Sequence, residues 1–387
     1  MSKFIKKNWG FGISLLMLLF LGQSVQAQSQ TIEEELQSIM KQYKGVGLGV
    51  AVVKDNQLIY THSFGWKDRE KQIPLQNDDL FRIASISKSF SATTIMHLVE
   101  EGKVSLDDKV SDLVGFEVKN PKYPDTDITL KMLLSHSSSL NDSQGYFTLD
   151  VINPEKNPDV AKAYNDYKPG TEYEYCNLNF NMVGVIIERL TGVRFDKYVH
   201  DLILKPLHIY GGYYADELDA DKFAQVYLYN DSSKTLEVEP AAYRSLKEDL
   251  KDYTIGYDAP KFSPTGGMKI SAPGLAKIMM MHMNYGTVDG VRIISEESSK
   301  LMQTPVIKAN ETKSAYYGLA MHMRDDLIPG VTMTGHTGSA YGLYSLMYFN
   351  AKEKYGIVLV STGNKGGYNA ELWPLARAVY KHFITNK

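Results

Sequence analysis

Two apolar, β-branched runs lie at opposite ends of this chain, and a sheet that uses both must bring those ends together. VGLGVAVVKDNQLIYTHSFGWKD, near the N-terminus, holds two strand-like runs around Asp55-Asn56, the pattern of a hairpin. VTMTGHTGSAYGLYSLMYFN and YGIVLVSTGN, near the C-terminus, read as two adjacent strands, with a final helix in ELWPLARAVYKHF. From about Leu106 to Asp258, helical patterns, turns and tyrosines dominate. The expected fold is therefore α+β: an antiparallel sheet drawn from both chain ends and flanked by helices, with a mainly helical lobe inserted. The expected boundaries are 28–110 and 265–387 for the two parts of the α/β lobe and 111–264 for the helical lobe.

A chain of 387 residues with 43% hydrophobic and 22% charged content can bury a core of two lobes. Its net charge of -3 and the lack of any basic block argue against a nucleic-acid partner. MSKFIKKNWGFGISLLMLLFLGQSVQAQSQ has three early lysines, an apolar run and small residues at Val25 and Ala27, the form of a secretory signal peptide over 1–27. An uncleaved anchor is the alternative, since Trp9 to Val25 is nearly long enough to span a bilayer. Cleavage after Ala27 takes Lys+Arg from 42 to 39 against 45 acids, a mature charge of -6. Cys176 is the single cysteine, so no intrachain disulfide forms, and it is too far from the leader to carry a lipid. The expectation is an exported protein, periplasmic or secreted, without stable membrane insertion after the leader is cut.

FRIASISKSFSATTIMHLVEEG places Ser85 and Lys88 three residues apart where a helix begins and Gly102 stops it. Spacing alone decides nothing, because about two Ser-x-x-Lys matches are expected by chance in such a chain. The second match, Ser38/Lys41, falls on the amphipathic helix TIEEELQSIMKQY capped by Thr31 and reads as solvated surface. Ser85, in contrast, would sit in a first helical turn, with an unpaired N–H and a dipole that favours negative charge. Lys88 would share its face one turn deeper, the arrangement of a nucleophile beside a base.

Other hydrolase signatures are absent. There is no Gly-x-Ser-x-Gly elbow, no His-Glu-x-x-His, and the nine histidines show no ligand spacing, so neither a metal nor another cofactor is expected. PGTEYEYCNLNFNMVGVIIERLTG carries Tyr175-Cys176-Asn177 between a turn and a strong helix ending at Gly192. Nearby positive charge would favour a phenolate at Tyr175, and Asn177 can accept from Lys88 and donate to a substrate carbonyl. Taken alone, Tyr175 is one tyrosine among 26. Gly335-His336-Thr337-Gly338-Ser339 opens a strand whose glycines would let a substrate backbone come close; alone it is a turn into a strand. Ser361-Thr362-Gly363 and Ser139-Leu140-Asn141 are decoys of similar composition.

Together, Ser-x-x-Lys, Tyr-x-Asn and a (Lys/His)-Thr-Gly strand, in that order, resemble the serine β-lactamase and penicillin-binding protein superfamily, in spacing most like the class C branch and its peptidase, amidase and esterase relatives. ITLKMLLSHSSSL, PGTEYEYCNLNF and GHTGSAYG match too, so the resemblance runs from about Ile32 to Phe383. It implies a β-lactamase/DD-peptidase-like fold and Ser85 as nucleophile of an acyl-enzyme, with Lys88 and Tyr175 sharing the general-base work. It implies an oxyanion hole from the backbone N–H groups of Ser85 and Ser339, with Asn177, His336, Thr337 and Gly338 binding substrate. Class C β-lactamases carry lysine where this chain has His336, which points to an amide or ester hydrolase acting on a small-molecule or peptide substrate, such as D-amino-acid peptides of the cell wall. The alternatives are a class C-like β-lactamase and a non-catalytic β-lactam or peptidoglycan sensor.

Overall fold

The computed structural model describes residues 32–310, 315–366 and 368–385. The expected leader and the capping position Thr31 lie outside the described residues. A first helix, α1, covers residues 32–43 and leads into the hairpin of β1 (Gly47–Lys54) and β2 (Gln57–Asp68). Asp55 and Asn56 turn that hairpin at φ of 51° and 63°, a left-handed geometry that short polar side chains tolerate. Short strands β3 (Ile73–Pro74) and β4 (Phe81–Arg82) lead to α2 (Ser87–Glu100), which ends at Gly102 with φ of 68°.

The middle of the chain is mostly helical turns: α3 (Val110–Val114), α4 (Leu130–Leu134), α5 (Asn177–Thr191) and α6 (Phe195–Val199). Its strands are short: β5 (Gly211–Gly212) and the hairpin β6 (Tyr227–Asn230) with β7 (Thr235–Val238). After β8 (Lys269–Ile270), Ser271 caps α7 (Ala272–Met283) by accepting from the Gly274 N–H. The pair β9 (Thr287–Val288) and β10 (Val291–Arg292) and helix α8 (Glu296–Met302) follow. The chain then runs through β11 (Ile307–Asn310), β12 (Ala315–Tyr317), β13 (His322–Ile328), β14 (Val331–Ala340), β15 (Leu343–Asn350) and β16 (Tyr355–Thr362) to α9 (Tyr368–Val379).

These strands form one antiparallel sheet of nine, ordered β11-β12-β13-β14-β15-β16-β1-β2-β3. The chain ends meet at its centre, where β16 pairs with β1 from Gly47↔Thr362 to Val53↔Gly356. Both central strands are covered on both faces, hence their unbroken apolar runs. Leu48, Val50 and Val52 pack with Ile357 and Leu359 in the layer under α1 and α9. Ala51, Val53, Val358 and Val360 join the larger layer with α2, α5 and α7. Each such Val or Leu stabilises the closure by about 1.5–3 kcal/mol.

Two features of the sheet differ from the sequence reading. VTMTGHTGSAYGLYSLMYFN is not one strand but the hairpin β14–β15. Tyr341 and Gly342 turn it at φ of 57° and 86°, and a Cβ on Gly342 would meet the Tyr227 carbonyl oxygen at 2.1 Å. Strands β11 to β13 extend the sheet past β14 and carry no long alternating run that announces them.

Close approaches bring the parts of the cleft together. On α5, a Cβ at Gly184 would meet Pro264 Cγ at 2.2 Å, so the segment 263–265 lies directly on the helix. On β14, a Cβ at Gly338 would meet the Ile83 carbonyl oxygen and Ser345 Oγ, each at 2.3 Å, so the turn before α2 lies directly on the sheet.

Candidate active site

Ser85 stands in a single 3-10 turn, Ala84–Ile86, that feeds straight into α2. Ala84 takes φ of 48°, a left-handed conformation costing a residue with a Cβ about 1 kcal/mol, and this bend presents Ser85 to the cleft. The turn is held from both sides. Ile83 O accepts from Ser345 Oγ at 2.7 Å, and Ile83 N donates to Met268 O at 3.0 Å. Ser38 and Lys41, by contrast, are both exposed on α1.

Lys88 is fully buried, and its Nζ has three oxygen neighbours: Ser85 Oγ at 3.1 Å, Asn177 Oδ1 at 2.9 Å and Thr265 O at 3.0 Å. Burial pulls its pKa from 10.5 down to about 7, against the opposing pull of Asp142 and then Cys176. A neutral amine has two N–H groups. Two of the three neighbours are carbonyl oxygens that can only accept, so they take both N–H groups and the lone pair is left facing the Ser85 hydroxyl. So placed, a neutral Lys88 can accept a proton from the Ser85 hydroxyl.

Asn177 opens α5 and is oriented by Asp142. The Asp142 carboxylate accepts from Asn177 N (2.9 Å), Asn177 Nδ2 (2.9 Å) and Leu178 N (3.0 Å). With its amide nitrogen on Asp142, Asn177 turns Oδ1 to Lys88, and Thr265 Oγ1 donates to the same oxygen at 2.8 Å. Asn177 thus serves the lysine. Cys176 is a buried thiol 3.3 Å from Asp142 Oδ1, and burial pushes its pKa well up, as befits a small residue filling space.

The Lys88 Nζ also lies 4.7 Å from the centre of the Tyr175 ring. His136 backs that ring at 4.4 Å, while His136 Nδ1 accepts from Cys176 N at 3.2 Å. Among the described residues, His136 Nε2 has no hydrogen-bond partner. His336 on β14 is buried, and its tautomer follows from its neighbours. Nδ1 faces the Thr337 carbonyl at 2.5 Å and must donate, so Nε2 accepts from Tyr317 Oη at 2.9 Å. Burial first, then Lys88, pulls His336 down to about 3, so it is neutral across the physiological range. Burial likewise holds His136 and His322 well below 6.5. Among the described residues no cluster of His, Cys, Asp or Glu is placed to hold a metal ion.

Ser85, Tyr175, Asn177, His336, Thr337 and Ser339 line one cavity of about 740 Å³, with Lys88 at its floor beneath Ser85. Gly338 instead faces Ile83 and gives the Ser85 turn its seat. The decoys lie elsewhere: Ser361 donates to buried Glu371, and Ser139 accepts from Asn120. Sequence reasoning did not single out Asp142, Thr265, Tyr317, His322 or Arg82. Asp142 directly follows the Ser139-Leu140-Asn141 box, the one nearby signal.

A family model described as Beta-lactamase matches residues 32–381. Protein flp of Staphylococcus aureus is 26% identical over 328 residues, 82% of this chain, which spans about 60% of that protein's length. Penicillin-binding protein 4 of Amycolatopsis lactamdurans is 28% identical over 86% of this chain and 84% of its own length. Among solved structures, the octameric penicillin-binding protein homologue from Pyrococcus abyssi superposes with a TM-score of 0.74 at 25% identity, covering 91% of this chain and 77% of that one. The D-amino acid amidase of Ochrobactrum anthropi SV3 shares the fold, with a TM-score of 0.67 at 20% identity over 91% of this chain and 99% of that one. The match over almost every described residue, on the fold and cleft just described, means that the chain belongs to the Beta-lactamase family.

Proposed function

We propose that this protein is an exported hydrolase that cleaves an amide or ester bond through an acyl-enzyme on Ser85. The observation that carries the reading is the arrangement at Lys88, whose two acceptors leave its lone pair for the Ser85 hydroxyl. Neutral Lys88 takes the hydroxyl proton, with Tyr175 sharing it, as Ser85 Oγ bonds to the substrate carbonyl carbon. The resulting oxyanion meets the N–H groups of Ser85 and Ser339, each worth about 3 kcal/mol where preorganised. As the carbon–nitrogen or carbon–oxygen bond breaks, the proton passes to the leaving group. Water then adds to the acyl carbonyl by the same base, and the acid leaves with Ser85 restored.

The substrate class follows from His336. A neutral imidazole cannot hold a carboxylate as a lysine ammonium would, so amides of D-amino acids and short esters suit the β14 side better than β-lactams, or peptides with a free terminal carboxylate, do. The Ochrobactrum protein that shares the fold is a D-amino acid amidase, in keeping with this. Purified protein assayed on D-amino-acid amides, D-Ala-D-Ala peptides, p-nitrophenyl acetate and nitrocefin tests the reading. Turnover of an amide or ester, abolished in Ser85→Ala, is expected. Turnover that survives Ser85→Ala overturns it.

A further inference from the structure

Next to the catalytic cavity lies a second chamber of about 420 Å³, and the two share Arg82, Phe147, Ser263 and Tyr341 in their walls. Four cations line this chamber. Two have counter-charges: Arg244 pairs with Asp249 at 2.5 Å and Lys261 with Asp258 at 3.3 Å. The other two do not. Arg82 and Lys269 face each other across the β4–β8 pair, and neither has a carboxylate partner among the described residues. Arg82 Nε donates to Gly266 O at 2.8 Å, and its guanidinium lies 5.0 Å from the centre of the Tyr341 ring. Lys269 is only 6% exposed, and its Nζ donates to Tyr213 O at 2.5 Å.

A half-buried guanidinium beside a buried ammonium is costly unless an anion joins them. Burial, then Arg82, pulls the Lys269 ammonium down to about 7, against a weaker opposing pull from Asp196 and Asp216. The remaining wall is mixed: Phe147, Pro260, Phe262 and Leu246 are apolar, Tyr213, Ser263 and Tyr341 bring hydroxyls, and the Asp249 carboxylate is taken up by Arg244. Such a lining fits a carboxylate carried on an apolar arm. Arg82 is three residues before Ser85, so an arm lying along Phe147 and Tyr341 passes from the reacting carbonyl into this chamber.

We propose that this side chamber is an anion subsite of the catalytic cleft, selecting substrates that carry a second, remote carboxylate for Arg82 and Lys269. The proposal rests on the reading of Ser85 as the nucleophile. Its test compares mono-p-nitrophenyl adipate and suberate with p-nitrophenyl hexanoate and octanoate, matched in length and differing by the terminal carboxylate. At one length or both, the anionic ester should have a kcat/KM about tenfold higher, mainly through KM. Lys269→Met should cut that preference about tenfold while Lys269→Arg keeps it. Ala241→Glu, at an exposed site on the chamber rim, should cut it about fivefold by repelling the same carboxylate, and does so without touching the core. Turnover of both series with no preference overturns the subsite and leaves the nucleophile standing. A preference that persists in both Lys269→Met and Ala241→Glu overturns its placement here. No turnover of any ester overturns the Ser85 reading and the subsite with it.

Discussion

Lys88 Nζ lies 3.1 Å from Ser85 Oγ, with no carboxylate among its hydrogen-bond partners and both amine hydrogens claimed by Asn177 Oδ1 and Thr265 O. In the proposed mechanism a lysine so placed acts as the base once it is neutral. The arrangement gives the pH dependence a definite sign.

On a neutral ester such as p-nitrophenyl acetate, kcat/KM should rise with pH through about 7, where Lys88 loses its proton, and level off above. Below that pH the ammonium donates to Ser85 and cannot take its proton. A pH–rate profile from 5 to 9 checks this, and a flat profile across the range would contradict it. Lys88→Arg, charged at every such pH, should lose at least about a thousandfold.

Asp142 turns the Asn177 amide toward Lys88 and also opposes the fall in the lysine's pKa. Asp142→Asn replaces one accepting oxygen by a donor, so the Asn177 and Leu178 N–H groups and the Asn177 amide compete for what remains. We expect kcat to fall about tenfold to a hundredfold, stability to fall about 1–3 kcal/mol, and the rate limb to move below 7. A limb that moves upward would show that Asp142 acts otherwise.

His336 should not titrate between pH 5 and 8 in a histidine-labelled NMR spectrum, since burial and Lys88 hold it down at about 3. His336→Lys would put an unpaired ammonium where a neutral ring accepts from Tyr317, at a cost of about 3 kcal/mol. It should impair nitrocefin and p-nitrophenyl acetate alike. A selective gain on nitrocefin would mean that a cation is welcome at this position.

Gly338→Ala should cost about 2 kcal/mol and at least about tenfold in kcat, because the new Cβ pushes on the Ile83 carbonyl that seats the Ser85 turn. Gly102→Ala is the matched control. With φ of 68° and nothing within 4 Å of the added carbon, it should cost about 1 kcal/mol of stability and leave kcat alone. Thermal melts and initial rates on the two variants separate strain at the nucleophile from strain in general.

What could be read in the chain beforehand was local. The closeness of Ser85 to Lys88 at a helix start, the apolar helix that stops at Gly192 and the Asp55-Asn56 hairpin each follow from a few adjacent residues, although Ser85 falls in the 3-10 turn before α2 and α5 begins three residues earlier than read, at Asn177. That one sheet draws on both chain ends was legible in the two strand-rich runs, while the direct pairing of β1 with β16 comes from the structure. The supporting residues were not, because they arrive from far along the chain with no pattern of their own. Thr265 contributes a backbone carbonyl, and Tyr317 meets His336 only because β12 and β14 flank β13. Asp142 is one acid in a loop until α5 sets its N–H groups on it. The β14–β15 turn was missed because Tyr341 hides a left-handed position that asparagine or glycine would have announced.

The proposed role of Ser85 as nucleophile is tested most directly by treating the full chain with a fluorophosphonate, weighing the intact protein and mapping the adduct by peptide mass spectrometry. One adduct per chain on Ser85 is expected, forming faster as pH rises through about 7 and absent in Ser85→Ala. An adduct on another serine, or undiminished labelling of Ser85→Ala, would contradict the account.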